Sequence, residues 1–457
     1  MGAHRRLRGG RAAVSVPPET GLVVSGKEHR PLDEIVHNCI HCGMCLPVCP
    51  TYALTFREES SPRGRIRLIR SVHEEKLALT PEFVHEMNFC LDCQACETAC
   101  PAGVAYGSLV EDARRLIHER KKDPARLRLL KWVLLRVILA SAGRTKLAAR
   151  LLRLYRKTGL MGWVQKSGLL GRFSPRLART HGLLPQLREE FFDESVPETL
   201  RPDGPVRGRV ALLTGCVMNI LHARTHRDTV EVLLRNGFEV LIPRPQECCG
   251  SLHGHNGDLR MARSLARRNV DLFGSLEIDA LVVDSAGCGA FIKEYGRVLE
   301  GDPDYSGRAA SLSARTKDVT EFLVEAGFDK PAWPVRKRVT YHEACHLVHT
   351  QKISTQPRSV IHSIPGIEFV ELPEATWCCG SAGIYTVTQF DDSMALLERK
   401  MKNIASTGAE IVLTANPGCH LQLELGIRNS GLSMEVMHPV SLLRRAYGLP
   451  EREKNAA

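Results

Sequence analysis

Between residues 209 and 419 the chain alternates short β-branched apolar runs with longer segments whose apolar positions recur every three or four residues. The runs RVALLTGC (209–216), ALVVDSAGC (280–288), RVTYHEAC (338–345) and EIVLTANPGC (410–419) read as buried strands, each ending on a cysteine. HRDTVEVLLRNG and DDSMALLERKMKNIASTG lie between such runs, have helical spacing and finish at a glycine stop. This alternation predicts parallel or mixed sheets covered by helices, with ligands at the carboxyl ends of the strands. The cysteines stand where such a fold builds sites.

They also reveal a repeat. Cys216, Cys248-Cys249-Gly250 and Cys288 recur as Cys345, Cys378-Cys379-Gly380 and Cys419, offset by 129, 130 and 131 residues. A nearly constant offset across three landmarks predicts a tandem duplication of one α/β cysteine-rich domain, 206–333 and 334–450.

Upstream the pattern changes. LLKWVLLRVILASAG (129–143) is apolar but interrupted by Lys131 and Arg136, and is shorter than the roughly 20 residues that cross a bilayer. With RTKLAARLLRLYRKTGLMGW after it, the stretch reads as basic amphipathic helix of the kind that lies on anionic membrane surfaces, where Trp132 and Trp163 would suit the interface. A helix packed on the cysteine-rich domains or on a partner subunit fits the same pattern.

Charge sharpens this division. The net charge is +11, yet residues 121–180 hold 16 Lys or Arg against the single acid Asp123, so they carry +15 and the remainder 11 − 15 = −4. No recognition motif accompanies the basic stretch, and nucleic-acid binding is excluded on that ground. A length of 457 residues suits two or three domains. Residues 1–28 begin MGAHRRLRGG without the apolar run of a secretory signal, and no hydrophobic stretch follows Arg5-Arg6 as twin-arginine export would need; they read as a tail. The 16 cysteines cluster at metal-ligand spacing, which predicts a reducing compartment, the cytoplasm; the basic amphipathic stretch adds a peripheral place on the inner face of the cell membrane as an option.

The strongest local signal lies in residues 29–120. Cys39, Cys42, Cys45 and Cys49-Pro50 recur as Cys90, Cys93, Cys96 and Cys100-Pro101, the two-two-three spacing and trailing proline of bacterial ferredoxins. Three cysteines three residues apart wrap a loop around one cubane, and the fourth reaches the other cluster. The predicted ligand sets are Cys39, Cys42, Cys45 and Cys100 for the first [4Fe-4S] cluster, and Cys90, Cys93, Cys96 and Cys49 for the second. Paired CxxC motifs also bind zinc, but zinc sites need neither the three-plus-one spacing nor the proline. His37 and His41 flank the first run as surface histidines or as hydrogen-bond donors to a cluster. Ser61-Pro62-Arg63-Gly64-Arg65 reads as a partner for the anionic cluster surroundings, or as a loop leading into a helix.

HCGMCLPVCPTYAL, SPRGRIRLI and CLDCQACETACPAGVAYGSL resemble the iron-sulfur subunit of glycolate oxidase, closely over residues 37–118 and onward through both cysteine-rich repeats. The layout is shared with related subunits of lactate utilisation, anaerobic glycerol-3-phosphate dehydrogenase and heterodisulfide reductase. The resemblance implies an α+β/α/β fold: an N-terminal helical ferredoxin-like two-cluster module, a basic helical linker (121–205) and the duplicated CCG domain. It implies a relay, in which a FAD-containing dehydrogenase subunit oxidises a 2-hydroxy acid and this chain passes electrons toward quinone. No GxGxxG follows a strand here, so the flavin is expected on the partner, and no catalytic residue is expected in this chain.

Proteins resembling heterodisulfide reductase close each CCG site with a CxxC. Here the closing elements are Ser285-Ala-Gly-Cys288 and Asn416-Pro-Gly-Cys419, so a five-cysteine noncubane centre is not expected. Four thiols remain per repeat: Cys216, Cys248, Cys249 and Cys288, then Cys345, Cys378, Cys379 and Cys419. They suit a further iron-sulfur cluster, a metal-free redox thiol site or a structural metal. His342 and His346 bracket Cys345, and His253 and His255 follow the first CCG, so a mixed Cys/His site is a further option. The alternative to the relay is an enzyme resembling heterodisulfide reductase, with catalysis at a CCG site.

Overall fold

The computed structural model describes residues 32–121, 124–185, 187 and 190–449. The predicted tail, 1–28, lies outside the described residues.

The N-terminal region is helical. Helix Pro62–His73 starts where Ser61 accepts a hydrogen bond from Gly64 N at 3.1 Å, and Pro81–Phe89 starts where Thr80 accepts from Phe83 N at 3.2 Å. Each has proline at the first position, where its missing N–H costs nothing. These helices and Tyr106–Arg120 bury Ile66, Ile69, Phe83, Met87, Leu109 and Val110 in one core. Ser61 to Arg65 therefore caps and opens a helix. Gly64 is obligatory there, because a Cβ would lie 1.9 Å from the Glu58 carbonyl oxygen.

Helices then run from Ala125 to Gly182, with a π-helical stretch at Trp132–Leu139. Helix Ala142–Lys157 has two faces. On one, Ala149 packs against Phe191 and Ile220, and Lys146 pairs with Asp193 at 2.9 Å. On the other, Leu147, Leu151 and Leu154 stand exposed at helical spacing, near the exposed Trp132 and Trp163 in sequence. Arg136 anchors the segment through a two-pronged pair with Asp258 at 2.7 and 2.8 Å. The segment thus packs on the first cysteine-rich repeat and still presents an apolar stripe.

Each repeat is built on a parallel sheet. Strands β1 (Thr199–Leu200), β2 (Gly208–Leu212), β3 (Phe238–Leu241), β4 (Ala280–Val283) and β5 (Thr316–Asp318) stand in the order β1-β3-β2-β4-β5, with only β1 antiparallel. Strands β6 (Arg338–Tyr341), β7 (Glu368–Phe369), β8 (Ile411–Leu413) and β9 (Glu435–Met437) stand in the order β7-β6-β8-β9, all parallel. The duplication extends to register: Val210 of β2 faces Ala280, and Val339 of β6 faces Ile411. One hydrophobic core joins the two sheets, with Val210, Leu212 and Val240 beside Val339, Tyr341 and Val440.

The four strands read from the sequence are present but shorter, and their cysteines lie beyond them. Cys288 sits in helix Ala286–Lys293 and Cys419 in helix Pro417–Ser430; Cys216 directly precedes Val217–Leu221 and Cys345 the π-helical His346–Thr350. The sheet must end before the chain can fold a thiol back over its carboxyl edge. The two CxxC positions without cysteine are Ser285 and Asn416, which begin the helices of Cys288 and Cys419. Asn416 has a second task. Its Oδ1 accepts from Gly287 N at 3.0 Å, bracing one repeat against the other.

Candidate metal centres

Residues 39–49 and 90–100 fold into two matching loops. In each, the residue two beyond the first cysteine and the residue after the second are left-handed: His41 (φ 55°) with Gly43 (φ 87°), and Asp92 (φ 54°) with Gln94 (φ 58°). That conformation costs a non-glycine residue about 1–2 kcal/mol, so it persists where tertiary structure imposes it. The result is a concave turn of backbone N–H groups facing sulfur; Asp92 N donates to Cys90 Sγ at 3.3 Å.

Cys39, Cys42, Cys45 and Cys100 line one small apolar pocket together with Ile66, Val104 and Cys96 of the second loop. Cys49 is buried, in electrostatic range of Cys93 and Cys96 of the second loop and also of Cys45. Cys42 is exposed while Cys90, Cys93 and Cys96 are buried. Burial pushes the thiols of Cys93 and Cys96 well above the ordinary range, and that of Cys45 up to about 11. These donors hold protons until a metal displaces them, and the two all-sulfur sets, the second buried, fit iron-sulfur clusters. His37 and His41 are exposed.

Arg65 is fully buried between the loops. Its Nε donates to the Glu86 carbonyl at 2.8 Å, and its guanidinium reaches Thr51 Oγ1 at 3.0 Å and Glu86 Oε2 at 3.3 Å. Tyr106 donates its hydroxyl to Cys90 Sγ at 3.4 Å. Neither role was visible in the sequence: Arg65 appeared only as one of two arginines in a basic loop, and Tyr106 carried no signal.

In the first repeat Cys216 Sγ donates to Cys248 Sγ at 3.6 Å, and Gly250 N donates to the same sulfur at 3.4 Å. Hydrogen bonds from Cys216 and Cys249 hold the Cys248 thiol well below its usual range. Cys249 in turn faces Cys288. The second repeat has the same chain of contacts, Cys345 to Cys378 to Cys379 to Cys419. The glycine of each CCG is left-handed, and at Gly380 (φ 88°) a Cβ would meet the Ser393 carbonyl at 2.7 Å. Four thiols therefore stand in a chain of contacts in each repeat.

All eight border one cavity of about 2920 Å³ between the repeats, which Cys90 also reaches. The second ferredoxin-type loop packs on the second repeat: Cys93 faces Cys345, Cys93 and Leu91 share a cluster with Cys378 and Tyr385, and Gln94 accepts from Thr350 at 2.9 Å. Of the four histidines singled out, His342 lies at the Cys379–Cys419 end, and His346 stacks edge-on against His255 at 5.0 Å. His255 bonds Glu111 at 2.7 Å, and His253 faces Asp258 at 3.7 Å. Burial would lower the His255 pKa, but the Asp92 and Glu111 carboxylates push it up to about 10 and tie the helical region to the first repeat.

The family description "4Fe-4S dicluster domain" matches residues 38–104, and "Cysteine-rich domain" matches 210–293 and 339–424. A third, "Glycolate oxidase iron-sulfur subunit, linker region", matches 126–184. A probable glycolate oxidase iron-sulfur subunit of Bacillus subtilis is 39% identical over 416 residues, covering 90% of this chain and 94% of the relative. The chain belongs to the glycolate oxidase iron-sulfur subunit family. The Escherichia coli glycolate oxidase iron-sulfur subunit is 32% identical over 91% of this chain and 95% of its own length. Lactate utilization protein A of Oceanobacillus iheyensis is 31% identical over 51% of this chain and 96% of its own. A crystal structure of a hypothetical protein from Helicobacter pylori shares the fold at a TM-score of 0.50 and 10% identity, over 86% of this chain and 69% of that one. As a member of the glycolate oxidase iron-sulfur subunit family, the chain is an iron-sulfur protein with a dicluster domain and two cysteine-rich domains.

Proposed function

We propose that the chain relays electrons from a flavin-bearing partner, which oxidises a 2-hydroxy acid of the glycolate or lactate type, toward membrane quinone. The relatives named for glycolate oxidase and lactate utilisation support that substrate class. The observation that carries the relay is a continuous line of cysteines. It runs from the exposed Cys42, through the buried second loop, to Cys345 facing Cys93 and on into the cavity shared by both repeats.

In this reading Cys39, Cys42, Cys45 and Cys100 hold the outer cluster and Cys90, Cys93, Cys96 and Cys49 the inner one. The CCG cysteines of each repeat hold a further centre. Iron-sulfur clusters in these positions supply one-electron transfer. The protein's part is to hold the sulfurs, exclude water from the inner loop and offer Cys42 with its exposed neighbours Ile40 and Met44 to the donor.

No helix among the described residues is long and apolar enough to cross a membrane. The exposed leucines and tryptophans of 125–182, set among Lys and Arg, form the surface that would rest on anionic lipid and bring the cavity near quinone. Sedimentation with anionic liposomes at low salt that vanishes at high salt is the expected result; absence of binding at low salt rejects this face as the membrane contact.

After anaerobic reconstitution the chain should carry more than eight iron atoms, that is, more than two clusters of four, and lose the excess in Cys248→Ser and Cys378→Ser. Glycolate-dependent dye reduction should appear only with the flavoprotein present. Because all eight CCG cysteines line one cavity, a small-molecule acceptor has a place to enter. Disulfide reduction by the isolated chain would therefore replace the relay with catalysis at a CCG site.

A further inference from the structure

The second repeat holds two buried groups that its four thiols do not explain. Just past β6, His342 N donates to the Leu413 carbonyl at 2.9 Å; just past β2, Leu213 N donates to the Val282 carbonyl at 3.0 Å. The two positions are equivalent, and one carries an imidazole where the other carries leucine. His342 is 1% exposed. Its Nδ1 lies 3.2 Å from the Ala375 carbonyl. A carbonyl only accepts, so Nδ1 bears the proton and Nε2 the lone pair. Nε2 is buried and has no hydrogen-bond partner among the described residues. Leaving such an atom unsatisfied costs about 1–3 kcal/mol, so the site is built for something the protein atoms do not supply.

A ring nitrogen of His342 and the sulfurs of Cys379 and Cys419 lie within 4.8 Å of one another. Metal–sulfur bonds of about 2.3 Å at tetrahedral angles set donors a little under 4 Å apart, so a small inward shift closes the three on one ion. The bond from Nδ1 to a carbonyl is the outer support that metal-bound imidazoles use to fix tautomer and orientation. Lys400 is the second group. It is fully buried, donates to the Glu374 carbonyl and lies in electrostatic range of Cys378, Cys379 and Cys419. A buried ammonium beside these sulfurs is balanced when they are thiolate ligands.

We propose that His342 Nε2 is a ligand of the iron centre in the second repeat, sharing it with Cys379 and Cys419, while the first repeat, with Leu213 at that position, relies on sulfur. This rests on the reading that the second repeat holds iron. With His342 at a coordination position that the first repeat gives to thiolate, one of the four second-repeat thiols stays off the metal; the site is then less negative and its reduction potential higher, which makes the second repeat the better electron acceptor of the pair.

The test is pulsed electron paramagnetic resonance of the full chain, reconstituted anaerobically with iron and sulfide and then reduced. The expected result is a coupling to a directly bound nitrogen that is lost in His342→Leu and kept in His346→Leu. His342→Cys should retain the iron, lose the coupling and titrate at lower potential. If His342→Leu does not fold, the wild-type spectrum and His342→Cys decide. A wild type without bound nitrogen, a coupling that survives in His342→Leu, or an unchanged potential in His342→Cys overturns the assignment. More than eight iron atoms without nitrogen coupling overturns His342 alone, whereas eight iron atoms, two clusters of four, overturns the iron in the repeat as well.

Discussion

Cys49→Ala should remove four iron atoms, one cluster's worth, and erase the same paramagnetic signal that Cys93→Ala erases. Cys49 follows the first loop in sequence, so simple proximity along the chain would assign it to Cys39, Cys42 and Cys45. The fold buries it, with Thr51 Oγ1 at 3.3 Å and in electrostatic range of Cys93 and Cys96 of the second loop as well as of Cys45. Cys100 lines the pocket of Cys39, Cys42 and Cys45, which Cys96 also borders. Cys100→Ala should accordingly match Cys42→Ala. Loss of either set breaks the line of cysteines, and reduction of any acceptor beyond it should fall to background. A Cys49→Ala spectrum matching Cys42→Ala would show that each loop keeps its own fourth cysteine.

The largest loss of stability is expected from Arg65→Ala, by about 3–5 kcal/mol, because removing one partner strands a buried charge. Glu86 is 6% exposed, and among the described residues its carboxylate would keep Ser60 Oγ at 3.1 Å. The damage would reach a cluster as well, since Thr51, which Arg65 holds, contacts Cys49. Anaerobic denaturant titration of the loaded protein measures the loss. Removing the stranded carboxylate in Arg65→Ala/Glu86→Leu should recover part of it, and the double-mutant cycle gives the coupling. A strictly additive cycle would mean that the pair contributes through shape rather than charge.

Local chemistry was legible in the sequence wherever spacing alone carries it. Three cysteines at three-residue intervals dictate a cluster loop, and the constant offset of Cys216, Cys248 and Cys288 from Cys345, Cys378 and Cys419 shows the duplication without a structure. Strands β2, β4, β6 and β8 were readable because they are buried on both faces, which makes them continuous apolar runs. The edge strands β1 and β7 were not, since two residues leave no period to detect. The strand ends were overextended toward the cysteines because the apolar run continues one residue past the sheet, as Leu213 does before the turn at Gly215 (φ 59°). Long-range partners left no trace at all. Nothing in the neighbourhood of Arg65 announces Glu86, and nothing near Cys93 announces Cys345, because those contacts are made by packing between distant segments. His342 and His346 looked alike in sequence; only the fold sends one to Cys379 and Cys419 and the other to His255.

The cross-brace from Asn416 to Gly287 bears on ancestry. Two identical polypeptides associating by symmetry must present the same residue at both equivalent positions, so neither site can change without the other. A covalent tandem lifts that restriction. Here Ser285 and Asn416 occupy matching places, yet Asn416 reaches across to the neighbouring half, just as Leu213 and His342 differ at the ends of twin strands. Such unequal pairs are the imprint of divergence after fusion, when one half could specialise while its sibling preserved the common scaffold.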